Sequence, residues 1–278
     1  MNPSSDDAHS ATVAATLTRA ACEILSTADP AEKAMLSART TAAWRSGAIT
    51  EVGTTPPPAR PARPQWPELR PPRDVKRRRI NQNPAGRIAL LHALAHIELN
   101  AIDLAWDIIA RFAASEDLPR DFYEDWVGVA AEEAKHFTLL SDRLRAFGST
   151  YGALPAHGGL WEAAAATAHD FAGRLAVVPL VLEARGLDVT PAMIVKLRAA
   201  GDDASADILE IIHDDEIGHV AVGQRWFTYC CERTGETPAA AFHALVRRYF
   251  KGNLKAPFNR ASRDRAGLPQ AFYEPLAT

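Results

Sequence analysis

Apolar residues recur every three or four positions along several long stretches of the chain, the period of a helix with one buried face. Between residue 83 and about 113 the inward positions are Leu91, Leu94, Glu98, Ile102, Ala105, Ile109 and Phe112. From about 119 to 147, stopped by Gly148, they are Phe122, Trp126, Val129, Glu133, His136, Leu140, Leu144 and Phe147. A third helix is predicted over 159–184, with Pro179 kinking it just before Glu183. Gly186 should end it, and Thr190-Pro191 should start a short helix to about residue 200. The fourth is predicted over 203–233, ahead of Gly235, with Leu209, Ile212, Glu216, His219, Gly223 and Trp226 on one stripe.

The flanks read differently. Residues 10–45 predict two helices joined at Asp29-Pro30, with Asp29 as N-cap, Pro30 in the first turn and Glu32 closing a capping box. Their apolar face is modest, so the pair is expected to pack on the outside of the bundle. Residues 54–72 are proline-rich and must be extended, either draped over the domain or bridging it stiffly. The run Lys76-Arg77-Arg78-Arg79 that follows is a solvated charge run or an anchor for an anionic substrate or phosphate backbone. One more helix is expected over 237–250, then an irregular tail from Lys251. The chain thus divides into a helical extension (1–53), a proline-rich and basic connector (54–82), a four-helix bundle (83–235) and a C-terminal helix and tail (236–278). The fold class is all-α.

Composition narrows this only a little. With 278 residues, 47% hydrophobic, 23% charged and a net charge of -3, the chain can bury a sizeable core and makes no electrostatic case for nucleic acid. Three cysteines without ligand or disulfide spacing, and a start without a basic or apolar leader, predict a reducing, cytoplasmic setting. The apolar stretch 171–182 is short and contains Arg174, so no membrane partner is expected.

The chemistry lies where ionisable groups interrupt the apolar stripes. Chance predicts about half a Glu-x-x-His pair in a chain of this composition, and there are three. Glu133 with His136 and Glu216 with His219 sit on core stripes, where i and i+3 project together. Glu210 with His213 falls to the side and reads as surface or supporting. Glu98 lies 17 residues before Ser115 and Glu133 lies 18 after it, so an antiparallel hairpin brings them level. Glu183 and Glu216 are likewise equidistant from a turn at Ala199 or Ala200, beside Gly201. Two Glu-x-x-His pairs and two single Glu residues, one group per helix, match the donor set of a carboxylate-bridged di-metal centre in a four-helix bundle. The predicted metal ligands are Glu98, Glu133, His136, Glu183, Glu216 and His219. Glu132 and Asp215, each four residues before a ligand His, are expected to accept its outer N–H. His92, His96, His157 and His169 read as packed or supporting histidines. Six N/O donors without thiolate suit two Fe ions, with Mn or a mixed Fe/Mn pair as alternatives and Zn less specifically. The break at 186–191, beside Glu183, is the expected opening.

Four segments carry a family resemblance. They are Gly86-Arg87-Ile88-Ala89-Leu90-Leu91-His92-Ala93-Leu94-Ala95-His96-Ile97-Glu98-Leu99-Asn100-Ala101-Ile102-Asp103, Glu132-Glu133-Ala134-Lys135-His136-Phe137, Glu183-Ala184-Arg185-Gly186-Leu187-Asp188 and Asp215-Glu216-Ile217-Gly218-His219-Val220. With the tail Pro257-Phe258-Asn259, the chain resembles the ferritin-like domain-of-unknown-function family numbered 455. That family is similar to the non-haem di-iron hydroxylases of isopentenylated adenosine in tRNA. The resemblance implies a ferritin-like bundle and a di-iron site at the six positions; it implies no substrate.

The expected activity is O2-dependent oxidation or hydroxylation of an organic substrate, with O2 and an electron donor as partners and a small molecule or RNA as substrate. Two alternatives use the same residues: a ferroxidase that handles iron, and a metal-stabilised structural or interaction module.

Overall fold

A computed structural model describes residues 15–71, 74–75 and 80–277. The basic run Lys76–Arg79 lies outside the described residues. The chain is all-α, about 69% helical, and among the described residues only two isolated bridges, Leu69 with Ala156 and Leu254 with Ala277, are sheet-like. Its long elements are α3 (Pro84–Phe112), α4 (Arg120–Ala146), α7 (Ala184–Ala199) and α8 (Asp203–Thr234). Between α4 and α7 lie α5 (Gly159–Ala166), α6 (Phe171–Val177) and a π-helical turn, Val178–Glu183. The hairpins α3/α4 and α7/α8 pack together through α4 and α8. Side chains at the ends explain the boundaries: Asn83 and Asp202 accept from the Ala85 and Ser205 amides, and Gly235 closes α8 at φ 72°.

The N-terminal helices α1 (Leu17–Ser26) and α2 (Pro30–Arg45) pack on α3 and α4, and Asp29 accepts from the Glu32 amide. This cover buries α3 on nearly every side, where the sequence pattern predicted a single inward stripe. The back face of α3 is ionic. Asp103, fully buried, meets Lys33 of α2 and Arg63 of the proline-rich segment, whose guanidinium also donates to Asn100. One turn on, Asp107 is shared by Arg174 of α6 (2.6 Å) and Arg111. These pairs keep buried charges compensated. They also drape the proline-rich segment over α3, helped by bonds at Pro58 and Ala62. Pro84–Phe112 is the one described helix long and apolar enough to cross a membrane by length and composition; 78% of its most apolar window is buried inside the molecule.

Two predictions about the third helix fail. The expected continuous helix over 159–184 breaks at 167–170, and its kink is the π turn, in which Pro179 sits near the start. The expected break at 186–191 is absent, since α7 runs unbroken through Gly186 and Pro191. Pro191 cannot donate to the Leu187 carbonyl one turn back. Asn259 Nδ2 donates to it instead, at 3.2 Å. The tail is therefore not irregular. After α9 (Pro238–Tyr249), the helix expected over 237–250, it carries α10 (Arg260–Arg265) and α11 (Gln270–Tyr273), and α10 clamps α7 through Arg263, which reaches Asp188 at 2.8 Å and 2.9 Å.

Candidate metal centre

Glu98 comes from the middle of α3, Glu133 and His136 from α4, Glu183 from the last position of the π turn, and Glu216 and His219 from α8. The i, i+3 spacing puts each Glu and its His on one helix face, and the antiparallel hairpins bring the faces together. Glu98, Glu133, His136 and Glu216 each offer one donor atom, all within 4.8 Å of one another. His219 joins them: its Nδ1 lies 3.0 Å from Glu133 Oε1 and 3.7 Å from Glu216 Oε2. His136 Nδ1 lies 3.4 Å from Glu98 Oε2 and 3.6 Å from Glu133 Oε2. Glu183 faces the same cavity as Glu98 and Glu216.

Buried donors and acceptors are normally paired, yet Glu98 Oε2, both Glu133 oxygens, His136 Nδ1, Glu183 Oε2, Glu216 Oε2 and His219 Nδ1 have no aligned hydrogen bond. Lone pairs crowd one spot without bonding each other. Two donors at right angles around one ion, each about 2.1 Å away, sit about 3.0 Å apart, the spacing found at His219 and Glu133. The donor set thus fits a metal ion.

The outer imidazole nitrogens are fully engaged, but not with the predicted partners. His136 Nε2 bonds Asp215 at 2.9 Å, and His219 Nε2 bonds Glu132 at 2.8 Å. Each acid orients the His of the facing helix, because the residue before a ligand Glu turns about 100° away from its own stripe and toward its neighbour. A carboxylate facing Nε2 accepts that N–H, which fixes the tautomer whose Nδ1 lone pair would face a bound cation. Lys135 pairs with Asp215 from outside.

Burial pushes the Glu98 carboxyl well above the usual range, and Glu133 beside it adds to the shift. Glu183 is raised likewise, by burial and then by Glu216. Burial would raise Glu133 too, but His219 and His136 hold it below the usual range. Burial works against protonated histidine, yet neighbouring carboxylates raise His136 to about 10 and carry His219 well above its ordinary value. Without a cation, protons occupy the positive positions among four buried carboxylates.

The other histidines take packing roles. His92 Nε2 accepts from the Gly152 and Leu154 amides, and His96 bonds Tyr151 Oη at 2.8 Å and the His157 carbonyl at 3.2 Å. His213 bonds Ser262 while Glu210 pairs with Arg198 at the surface. His169 meets the Tyr249 hydroxyl away from the centre.

A cavity of about 230 Å³ opens onto Glu98, Glu183 and Glu216, with apolar walls from α3, the π turn, α7 and α8. Gly223 makes the packing behind it possible, since a Cβ there would lie 2.4 Å from Pro179 Cβ. The sequence reading took His157 as a packed or supporting histidine, and it missed Arg185 and Thr190, which line the cavity with it, and the Asn259 clamp. Only the clamp left a trace: a proline inside a helix demands a donor from elsewhere.

The family model described as "Protein of unknown function (DUF455)" matches residues 26–274. A protein of Haemophilus influenzae named only "Uncharacterized protein" is 43% identical over 211 residues, covering 74% of this chain and 73% of its own. No solved structure matches.

Proposed function

Because the chain belongs to the DUF455 family, whose description assigns no chemistry, we propose from the site that it is a non-haem di-iron protein oxidising or hydroxylating an organic substrate with O2. The observation that carries this is the set of seven buried donor atoms without hydrogen bonds, drawn from all six residues, three of which, Glu98, Glu183 and Glu216, also line an apolar cavity. Glu98, Glu133, His136, Glu183, Glu216 and His219 would hold the pair of ions, with Glu133 placed between the two imidazoles. The chemistry such a pair supplies when bound is two-electron activation of O2. Manganese, alone or with iron, suits the same donors.

The chain's own contributions follow from its geometry. Asp215 and Glu132 hold the imidazoles in the tautomer that presents Nδ1. Buried ion pairs on α3 keep Glu98 from shifting along its axis. Leu and Ile side chains around the cavity keep water from the oxidising centre. The ferritin-like bundle named by the resemblance agrees with Glu98, Glu133 and Glu216 on three long helices and Glu183 at the entry to the fourth, and an electron donor would be a transient protein partner.

The cavity also favours this reading over iron handling. Hydrated Fe(II) needs a polar route, whereas the walls here are Leu94, Ile97, Leu160, Leu182 and Met193. A purely structural site needs no cavity at all.

The test is anaerobic loading with Fe(II), then O2 while the optical spectrum and O2 consumption are followed with and without reductant. The reading expects about two Fe per chain and reductant-dependent O2 uptake. A protein that retains no transition metal overturns it, and rapid Fe(II) turnover with ferric mineral as the product transfers the site to iron handling.

A further inference from the structure

We propose that the substrate is an amphiphile: a slender hydrocarbon chain that enters the apolar cavity and ends in a carboxylate or phosphate held by Arg185. This rests on the reading of Glu98, Glu183 and Glu216 as the cavity's metal end. The cavity measures about 230 Å³, below the roughly 300–1,000 Å³ typical of sites for compact ligands. Its walls select methylene groups, and Arg185 is the one Arg or Lys among its lining residues. An anionic group therefore belongs at the solvent-exposed end of the cavity.

Arg185 stands at that end. It lines this cavity and also a second one of about 260 Å³ under residues 250–263, and Leu182 is likewise common to both. Its side chain is 39% exposed. Nη1 donates to the Lys255 carbonyl at 2.7 Å, and lies 3.3 Å from Asp188 Oδ2 and 3.5 Å from the Pro257 carbonyl. Among the described residues Nε and Nη2 have no hydrogen bond, so one edge of the guanidinium is free for a bidentate anion. The competing acid is already satisfied, because Asp188 accepts from Arg263 and from the Asn259 amide. Lys255, which lines the second cavity, adds a second positive charge. A chain passing Leu182 thus runs from Arg185 to the carboxylates, carrying its reacting C–H bond inward and its charge outward.

Isothermal titration calorimetry of the iron-loaded protein with decanoate, decyl phosphate and decanol tests this. Both anions should bind, or one of them should, which identifies the head group; decanol should bind more weakly. Arg185→Gln should weaken anion binding by about ten- to a hundredfold and leave decanol unchanged, while Arg185→Lys restores part of the loss. Met193→Trp, which fills the cavity, should weaken all three ligands. Equal binding of decanol and decanoate, an Arg185→Gln protein that binds anions as well as the parent, or no binding at all overturns the proposal. Iron content measured on the same samples separates the two claims: Arg185-dependent binding by a chain that retains no metal sinks the di-iron reading alone.

Discussion

The continuity of α7 through Pro191 should depend on a side chain 68 residues away in the sequence, and a double-mutant cycle measures that dependence. Asn259 has two functions: Oδ1 caps α10 at the Ser262 amide, and Nδ2 donates to the Leu187 carbonyl. Asn259→Ser retains a capping oxygen and loses the reach to Leu187, a residue with no solvent exposure. Its carbonyl would then lie buried without a donor, which costs about 1–3 kcal/mol. For a domain of this size that lowers the thermal midpoint by roughly 2–10 °C. Pro191→Ala supplies the missing N–H from within α7. In that background Asn259→Ser should cost less than about 0.5 kcal/mol, giving a coupling energy of about 1–2 kcal/mol. Urea unfolding of the metal-free forms, followed by circular dichroism at constant slope, reads all four corners. An equal cost in both backgrounds would falsify the account of why this helix survives its proline.

Three further outcomes follow from the site. Asp215→Asn and Glu132→Gln should each weaken metal retention about 10- to 100-fold in chelator competition while leaving the helical signal intact; unchanged retention would remove both acids from the site's chemistry. In the metal-free protein His136 titrates at about 10 rather than 6.5, so its stabilising contribution is complete below 6.5 and is lost as pH rises toward 10. Glu98 and Glu183, also raised, act in the same direction from the carboxylate range upward. The metal-free midpoint should therefore fall with rising pH, and metal uptake at neutral pH should release protons to an indicator dye in weak buffer; uptake without release contradicts the assignment. Gly223→Ala places a methyl against Pro179, should cost about 1–3 kcal/mol and should lower iron content by displacing Glu183, both read on one purified sample.

Much of this arrangement was legible because it depends on local periodicity. Glu-x-x-His on an apolar stripe and near-equal distances from Ser115 and from a turn at Ala199 or Ala200 are properties of single helices and hairpins, and the structure brings Glu98, Glu133, His136, Glu216 and His219 together accordingly. Asp29, Asn83 and Gly235 announced helix ends through their own side chains or backbone. What escaped depends on tertiary partners. Which acid meets which histidine is decided across α4 and α8, not along either. The π turn at Pro179 depends on Gly223 of another helix, and Pro191 passes unnoticed because Asn259 answers it. The burial of α3 on all sides reflects a cover formed by residues from α1 and α2, which carry too few apolar positions to announce it.

The crosswise pairing of acids and imidazoles sets an order of events for a growing chain. When α3 and α4 have left the ribosome, His136 has no acid to turn its ring, because Asp215 is still unmade. Glu132 likewise waits for His219. Neither hairpin by itself supplies the acid that aims its imidazole, so an ion captured early would meet a His136 ring that nothing holds in place. On the metal reading, secure loading would begin only after residue 219 has emerged and α8 has docked. Occupancy of the centre would then report that both halves of the bundle have been synthesised and joined.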